Sequence, residues 1–272
     1  MEWDDIIRFI AFLGTGIILA LWEKVSPRRT GKVDRGLRWS SNLGMVIVSA
    51  LFIRLIFPVL PVALAIYIST KGWGLIPLLR LPFWSEVVLG FLLLDLAIYF
   101  QHRAFHYSRP LWMLHRMHHA DTFYDFTTGV RFHPFEFILS MIFKLAVVAM
   151  LGIVPLAVVL FEIVLNCVAM FNHSNIKLPL KVDKIMRLFI VTPDMHRVHH
   201  STDRREMNSN FGFNLPWWDR LFTTYKAQPD LGHEKMIIGL NLFRDTKYRS
   251  FHLMVAMPFL KGQVGPEDSK ES

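Results

Sequence analysis

Cysteine is nearly absent from this chain of 272 residues, Cys167 being the only one. No intramolecular disulfide can form and no thiolate set can hold zinc, and a lone cysteine in an apolar run reads as a small packed side chain. Charge is scarce as well. Asp, Glu, Lys and Arg make up 19% of the residues and 53% are hydrophobic, against about 25% charge in a soluble protein. The apolar residues are gathered in blocks, which points to a polytopic membrane protein and away from a large soluble core. A formal net charge of +8 would elsewhere suggest a nucleic-acid partner. In a chain this apolar, basic loops facing the cytoplasm and anionic lipid headgroups account for it, and no nucleic acid is expected. Internal repeats and low-complexity segments are absent. The first apolar block has no basic leader, opens on Met-Glu-Trp-Asp-Asp and shows no cleavage site, so it reads as a retained helix.

The blocks themselves predict an all-α, polytopic bundle of four to five transmembrane helices. Residues 6–22 form a first span, with Arg8 near enough to its end to snorkel. The loop from Glu23 to Arg38 carries Lys24, Arg28, Arg29, Lys32, Arg35 and Arg38, and this is the strongest signal for a cytoplasmic segment. Residues 42–69 span with tilt or with a kink near Pro58 and Pro61, and 70–82 is a breaker-rich loop on the opposite face. Residues 83–101 cross back. Residues 135–151 and 154–172 form a hairpin turning near Gly152 and Pro155. Everything from His173 on is mixed and charged, with a polar tail over 262–272 expected to be disordered. The chain divides into N-terminal helices and loops over 1–82, a central segment over 83–225 and a C-terminal cytosolic tail over 226–272.

What the chain has in excess is histidine at helical spacing. Residues 102–119 read HRAFHYSRPLWMLHRMHH, and a second H-x-x-H-H follows at His196, His199 and His200. Positions three and four apart share a helix face, so each motif gathers its imidazoles on one side. His102 and His106 continue the third span in a stripe with Asp95 and Tyr99. His115, His118 and His119 share a short helix begun at Pro110, with Leu111 and Trp112 read as interfacial anchors. The sequence Thr192-Pro193-Asp194 opens the helix of the last motif. His173, at the end of the last span, returns to the same side in a stripe with Glu162, Asn166 and Met170. His133 reads as either a ligand or a partner of one. Asp95, deep in a span, either accepts a proton from a ligand imidazole or pairs with Arg54. Lys144 and Glu162 sit on adjacent hairpin helices and read as a mutual pair. His233 and His252 lack partner spacing and stay outside the site.

Eight to ten imidazoles exceed the four to six ligands of one metal and suit two. An all-nitrogen shell suits iron, copper or zinc. Hydrolytic two-metal sites use bridging carboxylates, which these motifs lack, so an oxidative centre is favoured over a metal-dependent lipid hydrolase. A histidine-rich metal transporter would hold its ligands near the midplane, often in inverted repeats, whereas these lie at helix ends.

The boxes H-R-x-x-H, H-x-x-H-H and T-P-x-x-H-R-V-H-H resemble the fatty acid hydroxylase/sterol desaturase superfamily of membrane enzymes. The resemblance runs from about Phe83 to Tyr225. It takes in Asp95 and Tyr99, Arg131-Phe132-His133-Pro134, His173 in NHSN and the closing WWDRLFTTY. With Asn210 and Gly212 ahead of it, that closing part looks most like the bacterial branch allied to alkylglycerol monooxygenase. The resemblance implies membrane helices capped by a cytosolic histidine-rich domain. It also implies two irons held by His102, His106, His115, His118, His119, His173, His196, His199 and His200, with His133 at or near the site. One departure is that His173 is followed by Lys177 where some members carry a paired histidine, so a ligand is either missing or supplied by His133. The activity implied is O2-dependent hydroxylation or desaturation of a lipid entering from the bilayer, with two electrons from a donor such as a ferredoxin or cytochrome. The implied location is a bacterial inner membrane, with the histidines on the cytoplasmic side.

Overall fold

The computed structural model describes residues 3–31 and 34–262. The polar tail expected to be disordered lies, from residue 263 on, outside the described residues. Seven helices lead: α1 Trp3–Val25, α2 Arg35–Ile56, α3 Pro61–Lys71, α4 Phe83–Tyr107, α5 Arg109–His119, α6 Pro134–Leu151 and α7 Pro155–Asn172. They supply five candidate membrane spans, the second being α2 and α3 in series. That span breaks where Pro58 and Pro61 deny it backbone donors: Phe57 turns extended, and α3 restarts with Pro61 in its first turn. Short helices follow α7, namely α8 Leu180–Met186, α9 Pro193–His199, α10 Arg204–Met207, α11 Trp217–Leu221, α12 Gly232–Lys235 and α13 Phe251–Ala256. None is long enough to cross a bilayer. Among the described residues no strand forms, so the fold is all-α.

Contacts at the two ends of the bundle fix the course of the spans. At one end the loop after α3 meets the α6–α7 turn, Ile76 N–H donating to Leu151 O at 2.8 Å. Gly74 and Gly152 there have φ of 111° and 68°, and a Cβ on Gly74 would lie 2.3 Å from the Gly152 backbone. Only glycine permits both the conformation and the approach. At the other end lie the histidines. Glu23, near the end of α1, accepts from the backbone N–H groups of Phe126 and Asn175, both at 2.8 Å. Arg38, near the start of α2, grips Asp121 and Asp125. The spans therefore alternate in direction, and every clustered histidine falls at one end.

Between the ends, α4 packs on the α6–α7 hairpin through Leu94, Ile98, Ile153, Ala157 and Phe161. Gly90 lets the helices close up, since a Cβ there would meet Ile153 at 2.9 Å and Ala157 at 3.1 Å. In a bilayer such small-residue packing, with internal polar pairs, replaces the hydrophobic drive of a soluble core. Lys144 pairs with Glu162 at 2.9 Å, as expected. Arg8, expected to snorkel, instead turns inward to the same carboxylate at 3.1 Å, because α1 lies along α7. Arg54 meets Asp5 at 3.7 Å, which leaves Asp95 to other partners.

Candidate metal centre

Four elements deliver the histidines. The continuous helix α4 carries His102 and His106 one turn apart, with Asp95 and Tyr99 buried on the same stripe. Ser108 is extended and Pro110 lies in the first turn of α5, which presents His115, His118 and His119 before stopping at Ala120. Thr192 caps α9 by accepting from Met195 N–H at 3.4 Å, and its hydroxyl donates to Asp183 at 2.6 Å. That helix carries His196 and His199, with His200 just past its end. His173 follows α7 directly.

All nine are buried, and their nitrogens converge in two groups. His102, His106, His115, His119 and His199 form one; His118, His173, His196 and His200 form the other; within each, one nitrogen per residue lies within 4.8 Å of the rest. The groups touch, His119 of the first packing on His200 of the second with ring centroids 4.5 Å apart.

The tautomers show what the groups can hold. His102 Nδ1 donates to Phe211 O at 2.8 Å, His199 Nδ1 to Ser209 O at 2.7 Å and His173 Nδ1 to Ala169 O at 2.6 Å. His115 Nδ1 donates to the Glu136 carboxylate at 2.7 Å. A carbonyl accepts only, so on His102, His199 and His173 the proton sits on Nδ1 and Nε2 is a bare lone pair, and Glu136 when ionised holds His115 in the same tautomer. Those lone pairs face one another. His102 Nε2 is 3.1 Å from His199 Nε2 and 3.2 Å from His115 Nε2. His118, whose Nδ1 lies 3.3 Å from Arg131 O, meets His173 in the same way at 3.1 Å, and the Nε2 atoms of His106 and His119 also lie 3.1 Å apart. A metal–nitrogen bond of about 2.1 Å sets adjacent ligands about 3.0 Å apart in an octahedron and about 3.4 Å in a tetrahedron. The observed spacing falls between. Both nitrogens of His196 and of His200 are buried without a hydrogen-bond partner, which a bound cation would remedy. The donor set fits two metal ions.

Burial and neighbouring imidazoles hold these groups neutral. His118, His119, His196, His199 and His200 are pushed well below the ordinary histidine value, and burial takes His115 and His173 down to about 3. Neutral imidazole is the ligand form.

A family model for fatty acid hydroxylases matches residues 87–224, just over half of the chain and every one of the nine histidines. The chain belongs to the fatty acid hydroxylase family. Like that family of membrane enzymes, it is an integral membrane protein. It is 29% identical over 238 residues to ornithine lipid hydroxylase OlsE of Rhizobium tropici, covering 81% of this chain and 67% of that one. It is 28% identical over 177 residues to alkylglycerol monooxygenase of Homo sapiens, covering 62% of this chain and 36% of that one. For the Danio rerio enzyme of that name the identity is 31% over 171 residues, covering 62% and 36%. The chain thus spans about two thirds of the first relative and about a third of the other two. No solved structure matches it.

Several residues of this family member lie elsewhere than the spacing suggested. His133 caps α6, its Nδ1 accepting from Phe135 N–H at 3.2 Å, and its Nε2 lies 3.1 Å from Val255 O. It belongs to neither histidine group, so it does not supply the ligand that Lys177 leaves missing. Asp95 meets neither an imidazole nor Arg54. It accepts from Trp218 Nε1 at 2.8 Å and Leu215 N–H at 3.3 Å, tying the WWDRLF segment to α4. Asp219 within that segment accepts from the N–H groups of Phe211 and Gly212 at 2.8 and 2.9 Å, which fixes the carbonyl that orients His102. Burial pushes Asp219 up to about 6. Trp112 is no interfacial anchor, being buried 5.1 Å from the His106 ring and 5.4 Å from His119. The partner missed from sequence is Glu136, an acid in the first turn of a span, three residues beyond His133; its place in an otherwise apolar helix was the available signal.

Proposed function

We propose that this protein is a di-iron lipid hydroxylase whose reaction is RH + O2 + 2e⁻ + 2H⁺ → ROH + H2O, the electrons coming from an external one-electron donor. The observation that carries this reading is the sorting of nine buried, neutral imidazoles into sets of five and four. His102, His106, His115, His119 and His199 would hold one iron, and His118, His173, His196 and His200 the other. Bound there, the pair would supply O2 activation strong enough to oxidise an aliphatic C–H bond. The segment 83–225 is the catalytic part, with 1–82 and 226–272 flanking it.

The chain's own residues have three tasks. Glu136 and the carbonyls of Phe211, Ser209 and Ala169 hold the Nδ1 protons, keeping Nε2 free and the rings oriented. Phe132, stacked on His118 at 4.4 Å, and Phe211, edge-on to His102, His106 and His199, keep water from the cluster. Phe213 lies against His102 at 4.9 Å and also packs on the apolar layer between α4 and α7. That contact supports approach of an acyl or alkyl chain sideways from the bilayer. The names of the relatives, ornithine lipid hydroxylase and alkylglycerol monooxygenase, support a polar membrane lipid as the substrate class. The basic loop Glu23 to Arg38 supports placing the histidine end in the cytoplasm of a bacterial inner membrane, where a ferredoxin or cytochrome can dock.

The test is lipid analysis of membranes supplied with 18O2. Expression of the wild-type protein should place one labelled oxygen in a lipid hydroxyl, and His199→Ala should abolish it. A product labelled only from H2 18O would sink the reading and revive hydrolysis.

A further inference from the structure

Beside the histidine end, and separate from it, lies a cavity of about 340 Å³ lined by Arg29, Thr30, Thr122, Phe123, Arg244 and Arg249. Three guanidinium groups in one small cavity repel one another, so the arrangement calls for a compensating charge. Arg29 Nη1 donates to the carbonyls of His233 and Met236 at 2.6 and 2.9 Å. Arg244 Nη1 donates to those of Ile238 and Leu240 at 3.1 and 2.9 Å, and Arg249 Nη2 to Thr122 Oγ1 at 3.3 Å. These bonds orient the forks through neutral oxygens without cancelling their charge. Among the described residues no carboxylate lies within ion-pair distance of any of the three. Each fork has five N–H donors, and the bonds just named use one nitrogen of each.

Position adds to the argument. Arg29 comes four residues after the end of the first span and six before the start of the second, which is headgroup depth. Basic pockets at that depth bind phosphate-bearing headgroups, and the planar guanidinium matches phosphate oxygens in bidentate fashion. The cavity wall is closely packed. Gly239, with φ of 99°, lies against Asp121 and Thr122 where a Cβ would come within 3.3 Å, and its N–H donates to His200 O at 3.0 Å. Burial and the charges of Arg197 and Arg28 push Arg29 below the ordinary arginine value.

We propose that Arg29, Arg244 and Arg249 form a binding site for a phosphate group at the membrane surface. The group comes either from a phospholipid headgroup or from free phosphate. The site does not depend on the identity of the metals, so it stands or falls apart from the proposed reaction.

The test uses the full-length protein in mild detergent. Native mass spectrometry would compare retention of dioleoylphosphatidate with that of dioleoylglycerol, and a thermal-shift titration would use inorganic phosphate alone. The variants are Arg244→Gln with Arg249→Gln, and a surface control of equal charge change, Lys181→Gln with Lys184→Gln. Should the arginine pair not fold, Arg249→Gln alone serves, since that fork's bond is to a single hydroxyl. We expect preferential retention of the phosphatidate, weakened about tenfold or more in the arginine variant by loss of charge-assisted bonds and unchanged in the control. Phosphatidate retention without a response to inorganic phosphate identifies the headgroup as the source, and a saturable phosphate response lost in the arginine variant identifies the free ion. Equal retention of the two lipids with no phosphate response overturns the proposal, as does binding undiminished in the arginine variant or reduced equally in the control.

Discussion

His102 and His199 point their Nε2 atoms at each other across 3.1 Å, and neither nitrogen has a proton to share. Each ring keeps its one proton on Nδ1 and donates it in a hydrogen bond to a backbone carbonyl, Phe211 O for His102 and Ser209 O for His199. Two lone pairs at that distance repel unless a cation lies between them. The loops that carry those carbonyls are therefore as much a part of the site as the histidines.

Glu136 tests the role of such partners. Its bond to His115 Nδ1 fixes the tautomer on which the five-histidine group depends. Replacing an outer partner of a metal-bound histidine costs about 10–100-fold in metal affinity. Glu136→Ala should lie at the high end of that range in a chelator competition. Glu136→Gln, which keeps an amide oxygen as acceptor, should lie at the low end. Equal affinity in all three proteins would show that His115 needs no such partner.

Arg38 is fully buried and bonds Asp121 at 2.9 and 2.7 Å, and also Asp125 and Thr128. Arg38→Met leaves two buried carboxylates without their cation, a loss of about 3–5 kcal/mol. Asp121 begins the turn after α5, so unfolding in detergent should shift to lower temperature and metal retention should fall with it. An unaltered melting temperature would contradict the network's role.

Gly129 packs so close to α7 that a Cβ would lie 2.3 Å from the Ala169 carbonyl oxygen, the same oxygen that holds His173 Nδ1. Gly129→Ala should destabilise the protein by about 1–3 kcal/mol or more and disturb the four-histidine group. Gly14→Ala, where nothing lies within 4 Å, should leave the melting temperature nearly unchanged. Similar behaviour of the two variants would contradict this packing.

Acid should weaken the metal-free protein in a defined window. Burial takes His115 and His173 from the ordinary 6.5 down to about 3. The unfolded chain binds protons at about 6.5 and the folded one does not until about 3, so stability is full above pH 6.5 and falls as pH drops from there towards 3. The melting temperature of apoprotein should decline steadily between pH 7 and pH 5. A constant value over that range would contradict the neutral, buried state of these rings.

The five spans, their alternation and the meeting of nine histidines were legible because each rests on a periodic signal: apolar blocks long enough for a bilayer, basic loops, and imidazoles three and four apart. What sequence did not disclose are contacts between distant segments. Asp95 finds Trp218 and Leu215, 120 or more residues away, and Arg8 finds Glu162 on α7. Arg38 reads as one more basic loop residue until Asp121 and Asp125 arrive from the turn after α5. His133 has ligand chemistry but sits at the first turn of α6, where capping claims its Nδ1. One turn on, Glu136 reaches His115. Spacing along one helix shows which residues share a face; it does not show which face meets which across the bundle.

The most direct test of the central claim is the metal content of protein purified anaerobically after iron-replete expression. Wild type should carry about two irons per chain, and the pair His118→Ala with His199→Ala, one from each group, should lose them. A single metal per chain, or stoichiometric zinc unaffected by those substitutions, would contradict a two-iron centre built from these nine histidines.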